Sequence, residues 1–144
     1  MARAHEFFSA ECFNRCWSYM EEPARSAEED EQMLLLCHAS LWHWAQRQDC
    51  TPRNLSIGYW QISRVSALLG QPGNAIRYAD LCLHYSRNEA PFYVGYAYEA
   101  LARGAMLKGD SESAAEYLRQ ARTCAAEISD AEARAALEKD LDSI

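Results

Sequence analysis

Shifted by 39 residues, the middle of this chain lies on itself: Tyr59 falls on Tyr98, Ile62 on Leu101, Arg64 on Arg103, Gly70 on Gly109, Ala75 on Ala114 and Cys82 on Ala121. Each pair matches in size or chemistry. A glycine ahead of a new helix lets the backbone take a positive φ in a tight turn, and small Ala and Cys side chains let facing helices approach closely. The echo is a packing constraint stated twice, and it predicts two copies of one helical pair.

Helix punctuation agrees. Ser26 with Glu29, and Ser129 with Glu132, each have the spacing of a capping box, in which the hydroxyl accepts from a backbone N–H and the carboxylate reaches back. Thr51-Pro52 sets a cap before a first-turn proline, Asp110 caps the segment after Gly109, and Pro91 opens another helix. Sustained period-two alternation and Asn-Gly or Asp-Gly hairpin turns are lacking, so strands are not expected. These marks predict seven helices, over residues 5–21, 26–48, 52–69, 72–87, 90–108, 111–128 and 130–142. Links this short force neighbours antiparallel, giving hairpins over 5–48, 52–87 and 90–128 with a final helix at 130–142. The last helix suits a cap, with Ala131, Leu137 and Leu141 on one side and charges on the other.

In Leu69-Gly70-Gln71-Pro72-Gly73-Asn74-Ala75 and Lys108-Gly109-Asp110-Ser111-Glu112-Ser113-Ala114, a Gly is followed five residues later by Ala. With an aromatic eleven before each Gly, a small residue seven before (Ser63, Ala102) and another twelve after (Cys82, Ala121), this resembles the tetratricopeptide repeat family. The chain departs from the family in its longer period, against about 34 residues, and in having Ser66 or Ala105 and Ala79 or Leu118 where the family expects aromatics. The resemblance covers residues 57–128, and implies an all-α fold of antiparallel hairpins stacked as a right-handed superhelix that binds a protein or peptide and is not an enzyme.

At 144 residues one domain is expected, able to bury a core without disulfides or metal. A formal charge of −7 repels phosphate backbones and anionic lipid heads, so neither nucleic acid nor a membrane is an expected partner. The densest apolar run, Met33 to Cys37, stops at His38, far short of the ~18 residues of a membrane span. Met1-Ala2-Arg3-Ala4-His5-Glu6 lacks the order of a secretory signal, so a cytoplasmic protein is expected. Cys12, Cys16, Cys37, Cys50, Cys82 and Cys124 are scattered through apolar helical patterns, as reduced buried thiols are. Nucleotide loops and calcium loops are missing, and no cofactor or metal is expected.

The resemblance implies that the first helix of each pair lines a concave face. At about 100° per residue, Trp60 and Arg64 share one side of their helix, and Glu99 and Arg103 the matching side of the next, with Ile57 and Tyr96 close by. One reading is a groove in which Arg64 and Arg103 meet a carboxylate or phosphate and Trp60 stacks on an apolar group. The other is an ordinary surface, with Glu99 paired to Arg103 and Trp60 to Arg64 on wet helix faces.

The second helix carries His38-Ala39-Ser40-Leu41-Trp42-His43-Trp44. Ser40 and His43 are one turn apart, the minimum for a nucleophile and base, so His38, Ser40 and His43 form the alternative site of a small-molecule or metal-dependent enzyme. His38 and His43 lie about 140° apart around the helix and cannot share one metal from it. Trp17, Trp42, Trp44, Tyr19 and Tyr85 exceed what a small core needs, which suggests exposed aromatics and a homodimer joined through the first hairpin.

Overall fold

The structure, a computed structural model, describes residues 1–144. It holds seven helices and no strand: α1 (Ala2–Met20), α2 (Ala27–Gln46), α3 (Pro52–Leu68), α4 (Pro72–Ser86), α5 (Pro91–Lys108), α6 (Ser111–Ala126) and α7 (Ala131–Asp142). Local chemistry starts them. Ser26 Oγ accepts from the Glu29 amide at 3.1 Å while Glu29 accepts from the Ser26 amide, and Thr51 forms the same reciprocal pair with Asn54. Asp110 accepts from the Ser113 amide, and prolines occupy the first turns of α3, α4 and α5. Gly70 and Gly109 end α3 and α5 at φ of 70° and 89°, a region that side chains with a Cβ avoid.

Two expectations at the last helix need correction. Asp130, not Ser129, caps α7, accepting from the Ala133 amide at 3.3 Å; a carboxylate one residue further on complements the positive helix end better than a hydroxyl. Ala131 is exposed, and the packed stripe runs Ala133, Leu137, Leu141, a four-residue step that follows the helix face against α5 and α6.

Cross-helix hydrogen bonds give the direction of each pair. Ser40 Oγ donates to the Ser9 carbonyl at 2.7 Å and Cys16 Sγ to that of Met33 at 3.5 Å, so α1 and α2 run antiparallel. Ser56 and Ser63 of α3 donate in the same reversed order to the carbonyls of Cys82 and Ala75 of α4. The serines let the helix backbones approach while satisfying hydroxyls that would otherwise be buried unpaired. In the next pair Gly95 takes the place of Ser56: a Cβ there would stand 2.6 Å from Leu137 Cδ2 and 3.1 Å from Cys124 Cβ.

Burial follows the seams. Cys16, Met33, Cys37, Ile62 and Val65 join α1, α2 and α3; Ala79, Ala100 and Leu101 join α4 to α5; Ala121, Ala125, Leu137 and Leu141 join α6 to α7. Small Ala75, Ala114 and Cys82 are buried where the 39-residue echo placed them. Helix α3 lies along α5, and α7 packs on α5 and α6. Helices α1 and α3 meet only narrowly, tied by Gln61 Nε2 donating to the Phe13 carbonyl at 3.1 Å. That narrow contact leaves open the hollow described next. No helix is long and apolar enough to cross a membrane.

Candidate functional site

Four residues related by the echo meet at one buried carboxylate. Glu99, on α5, has no exposed surface. Arg64 Nη1, from α3, donates to Glu99 Oε1 at 2.9 Å; Arg103 Nε, one turn along α5, donates to the same oxygen at 3.1 Å; Trp60 Nε1 donates to Oε2 at 3.4 Å. Burial pushes the Glu99 carboxyl above its ordinary range, opposed by Arg103, Arg64 and the hydrogen bonds it accepts from Arg103 and Trp60. The Glu99–Arg103 pair is the one the second sequence reading gives; its setting is not. Glu99 does not sit on a wet face, and both arginines are engaged with it; they hold the carboxylate and thereby clamp α3 to α5. Arg103 reaches further, donating from Nη2 to the Asp140 carbonyl at 3.1 Å and the Ser143 hydroxyl at 2.9 Å. It thus fastens the end of α7 as well. A substitution of both arginines by Ala would leave a buried anion.

Beside this clamp lies a cavity of about 350 Å³. Phe13 and Trp17 come from α1, Ser56, Ile57 and Trp60 from α3, Cys82 from α4, Phe92, Tyr93 and Tyr96 from α5, and Asp140 from α7. Its rings stand at steep angles: Trp17 to Trp60 at 83°, Trp60 to Tyr96 at 86°, Phe92 to Tyr96 at 64°. Tyr96 Oη donates to Asp140 Oδ2 at 2.7 Å, and burial with that bond pushes the Tyr96 phenol up, so it remains a donor. A second hollow, of similar volume, is bordered by Arg64, Arg103, Leu68, Leu107 and Ser143. Ile57, Trp60 and Tyr96 therefore line the first hollow, Arg64 and Arg103 the second, with Glu99 buried at the arginines.

Phe13, Phe92, Tyr93 and Asp140 also line the cavity and are not singled out by the sequence, which marks Trp17 only as a surplus aromatic. The i, i+4 aromatic pairs Phe13–Trp17 and Phe92–Tyr96 were the available signal. Asp140 gave none, because its place depends on where α7 docks.

The alternative constellation is dispersed. Ser40 is buried with its hydroxyl committed to Ser9, not to His43. His43 Nδ1 instead lies 2.9 Å from His5 Nδ1, between Phe8 and Trp42, whereas His38 sits edge-on to Tyr78. The two histidines face different neighbours because they are separated around α2. No group of three or more His, Cys, Asp or Glu is placed to hold a metal ion. Phe7, Phe8 and Trp42 are exposed around the His5–His43 pair.

That pair has a pH consequence. One imidazole donates and the other accepts, so the bond needs a neutral ring. Desolvation, and then the charge of His5, lower the His43 pKa from 6.5. The unfolded chain therefore takes up the proton more readily, and the contribution to stability is complete above 6.5 and declines as pH falls below it. Melting followed by circular dichroism at about pH 7.5 and about pH 5.5 is expected to show a larger drop for the parent than for His43→Asn. Parallel drops would show that the pair is thermodynamically silent.

Fold and geometry together define an all-α protein of paired helices, with an aromatic hollow beside a buried Arg–Glu–Arg clamp. Comparison with protein-family models, curated proteins and solved structures finds no match.

Proposed function

We propose that the chain is a non-catalytic, tetratricopeptide-like binding module whose hairpins stack as a right-handed superhelix, with α1, α3 and α5 lining the inner face. A segment of a partner protein lies along that face. The observation that carries this reading is the open aromatic cavity at α1, α3 and α5, with the arginine-bordered hollow further along α3 and α5. Aromatic rings beside arginine are the composition of binding hot spots. Arg64 makes a single hydrogen bond and Arg103 Nη1 makes none, so both keep N–H groups for a ligand while holding Glu99. A cytoplasmic setting belongs to the same reading, supported by the buried thiols Cys16, Cys37 and Cys82.

Selection from a displayed peptide library, followed by calorimetry with the synthesised peptides, tests this. Trp17, 38% exposed, can be removed with little loss of core packing. Trp17→Ala is expected to weaken selected peptides at least about tenfold, while Leu35→Ala, exposed on α2, leaves affinity unchanged. Peptides indifferent to Trp17→Ala, or a library that enriches nothing, would remove the proposal.

A further inference from the structure

The aromatic cavity has a chemical preference that peptide binding alone does not require. Its rings form corners, with Trp17 and Tyr96 each nearly perpendicular to Trp60 at centroid distances of 5.7 and 5.8 Å. A flat ligand stacks on one wall of such a corner; a compact, rounded group touches several walls at once. Ring faces carry negative potential, and Trp is the strongest of them. Asp140 adds a formal anion to the same lining. Tyr96 donates to its Oδ2, which holds the carboxylate in place and leaves Oδ1 with no protein donor. The nearest cations, Arg64 and Arg103, are both bonded to Glu99, and with Asp140 these two positive and two negative groups sum to zero, so the preference for a cation rests on the ring faces and on the placement of Asp140 in the lining. Around the site the whole chain carries a charge of −7, which draws cations toward it.

We propose that this cavity binds an organic ammonium ion, a compact alkylated nitrogen whose positive charge is met by the rings of Trp17, Trp60 and Tyr96 and by the carboxylate of Asp140. A volume of about 350 Å³ lies near the lower end of ligand pockets, enough for such a head group and a short alkyl stem. Two sources present this chemistry: a methylated lysine side chain on a bound peptide, or a free quaternary amine. The inference uses the same cavity as the peptide-binding reading and adds the class of group the cavity selects.

Calorimetry on the intact chain separates charge from shape. Choline and 3,3-dimethylbutan-1-ol have the same outline, with nitrogen replaced by carbon in the second. Choline is expected to bind at least about tenfold more tightly, and Asp140→Asn to weaken choline about tenfold while leaving the alcohol unchanged. Equal affinity for the two, or choline binding untouched by both Asp140→Asn and Trp17→Leu, would overturn the assignment; the first comparison needs no variant. Two synthetic peptides that differ only by lysine or trimethyl-lysine supply the other arm. Tighter binding of the trimethyl-lysine peptide than of choline assigns the cation to a protein side chain, and the reverse assigns it to a free amine. Failure of choline and of the methylated peptide alike removes the ammonium site. Library-selected peptides that bind without regard to methylation or choline competition also remove it, yet leave peptide binding intact. Choline binding with no selected peptide has the opposite meaning.

Discussion

Replacing Glu99 with alanine is expected to lower the unfolding free energy by about 3–5 kcal/mol, the usual cost of removing one partner from a buried ionic cluster. Arg64 and Arg103 have only 22% and 20% of their side chains exposed, and both point at Glu99 Oε1. Without the carboxylate, two guanidinium ions face each other across the α3–α5 seam, and the Trp60 indole N–H loses its acceptor. For a domain of this size the change corresponds to a fall in melting temperature on the order of 10 °C. Glu99→Gln, which keeps two acceptor lone pairs and loses the charge, should fall between the parent and Glu99→Ala. Urea and thermal melts check both. A Glu99→Ala protein as stable as the parent would mean that solvent already compensates the arginines.

The identity of Glu99 as a buried group was not legible in the sequence, although its position was. The echo placed Trp60 on Glu99 and Arg64 on Arg103, and the wheel put them on matching faces. What it could not show is how near α3 lies to α5. The neighbouring seam is tight as well: a Cβ at Gly104, on α5, would stand 2.8 Å from Ile76 Cγ1 and 3.3 Å from the Ile76 backbone nitrogen, on α4. With α4 docked closely on α5 and α3 running along it, Glu99 is fully covered. Glu99 accordingly looks like a surface residue by type and spacing, and is interior only through tertiary packing.

Helix starts were legible for a different reason. Caps are decided within four residues, so Ser26–Glu29, Thr51–Pro52 and Asp110 could be read locally. Ser129 misled because Asp130 beside it competes for the same role. The positive φ of Gly70 and Gly109 was readable too, since few other residues adopt it. The cavity was half legible. Ile57, Trp60 and Tyr96 followed from the repeat, whereas Trp17 belongs to the first hairpin, outside the echo, and Asp140 to α7, whose docking no local pattern fixes. His38, Ser40 and His43 show the converse error: closeness in sequence suggested a site, and rotation about the helix axis dispersed it.

Whether equivalent positions of neighbouring helical pairs share one buried carboxylate is read out by a double-mutant cycle on Arg64 and Arg103. With either Arg64 or Arg103 changed to Ala, the other guanidinium still neutralises Glu99 and mutual repulsion is relieved, so each single cost is modest. With both changed, the anion is buried with only Trp60 donating to it, as strongly destabilising as losing the carboxylate. The double variant should therefore exceed the sum of the singles by about 1–3 kcal/mol. Additivity within about 0.5 kcal/mol would show that the two arginines do not meet at Glu99.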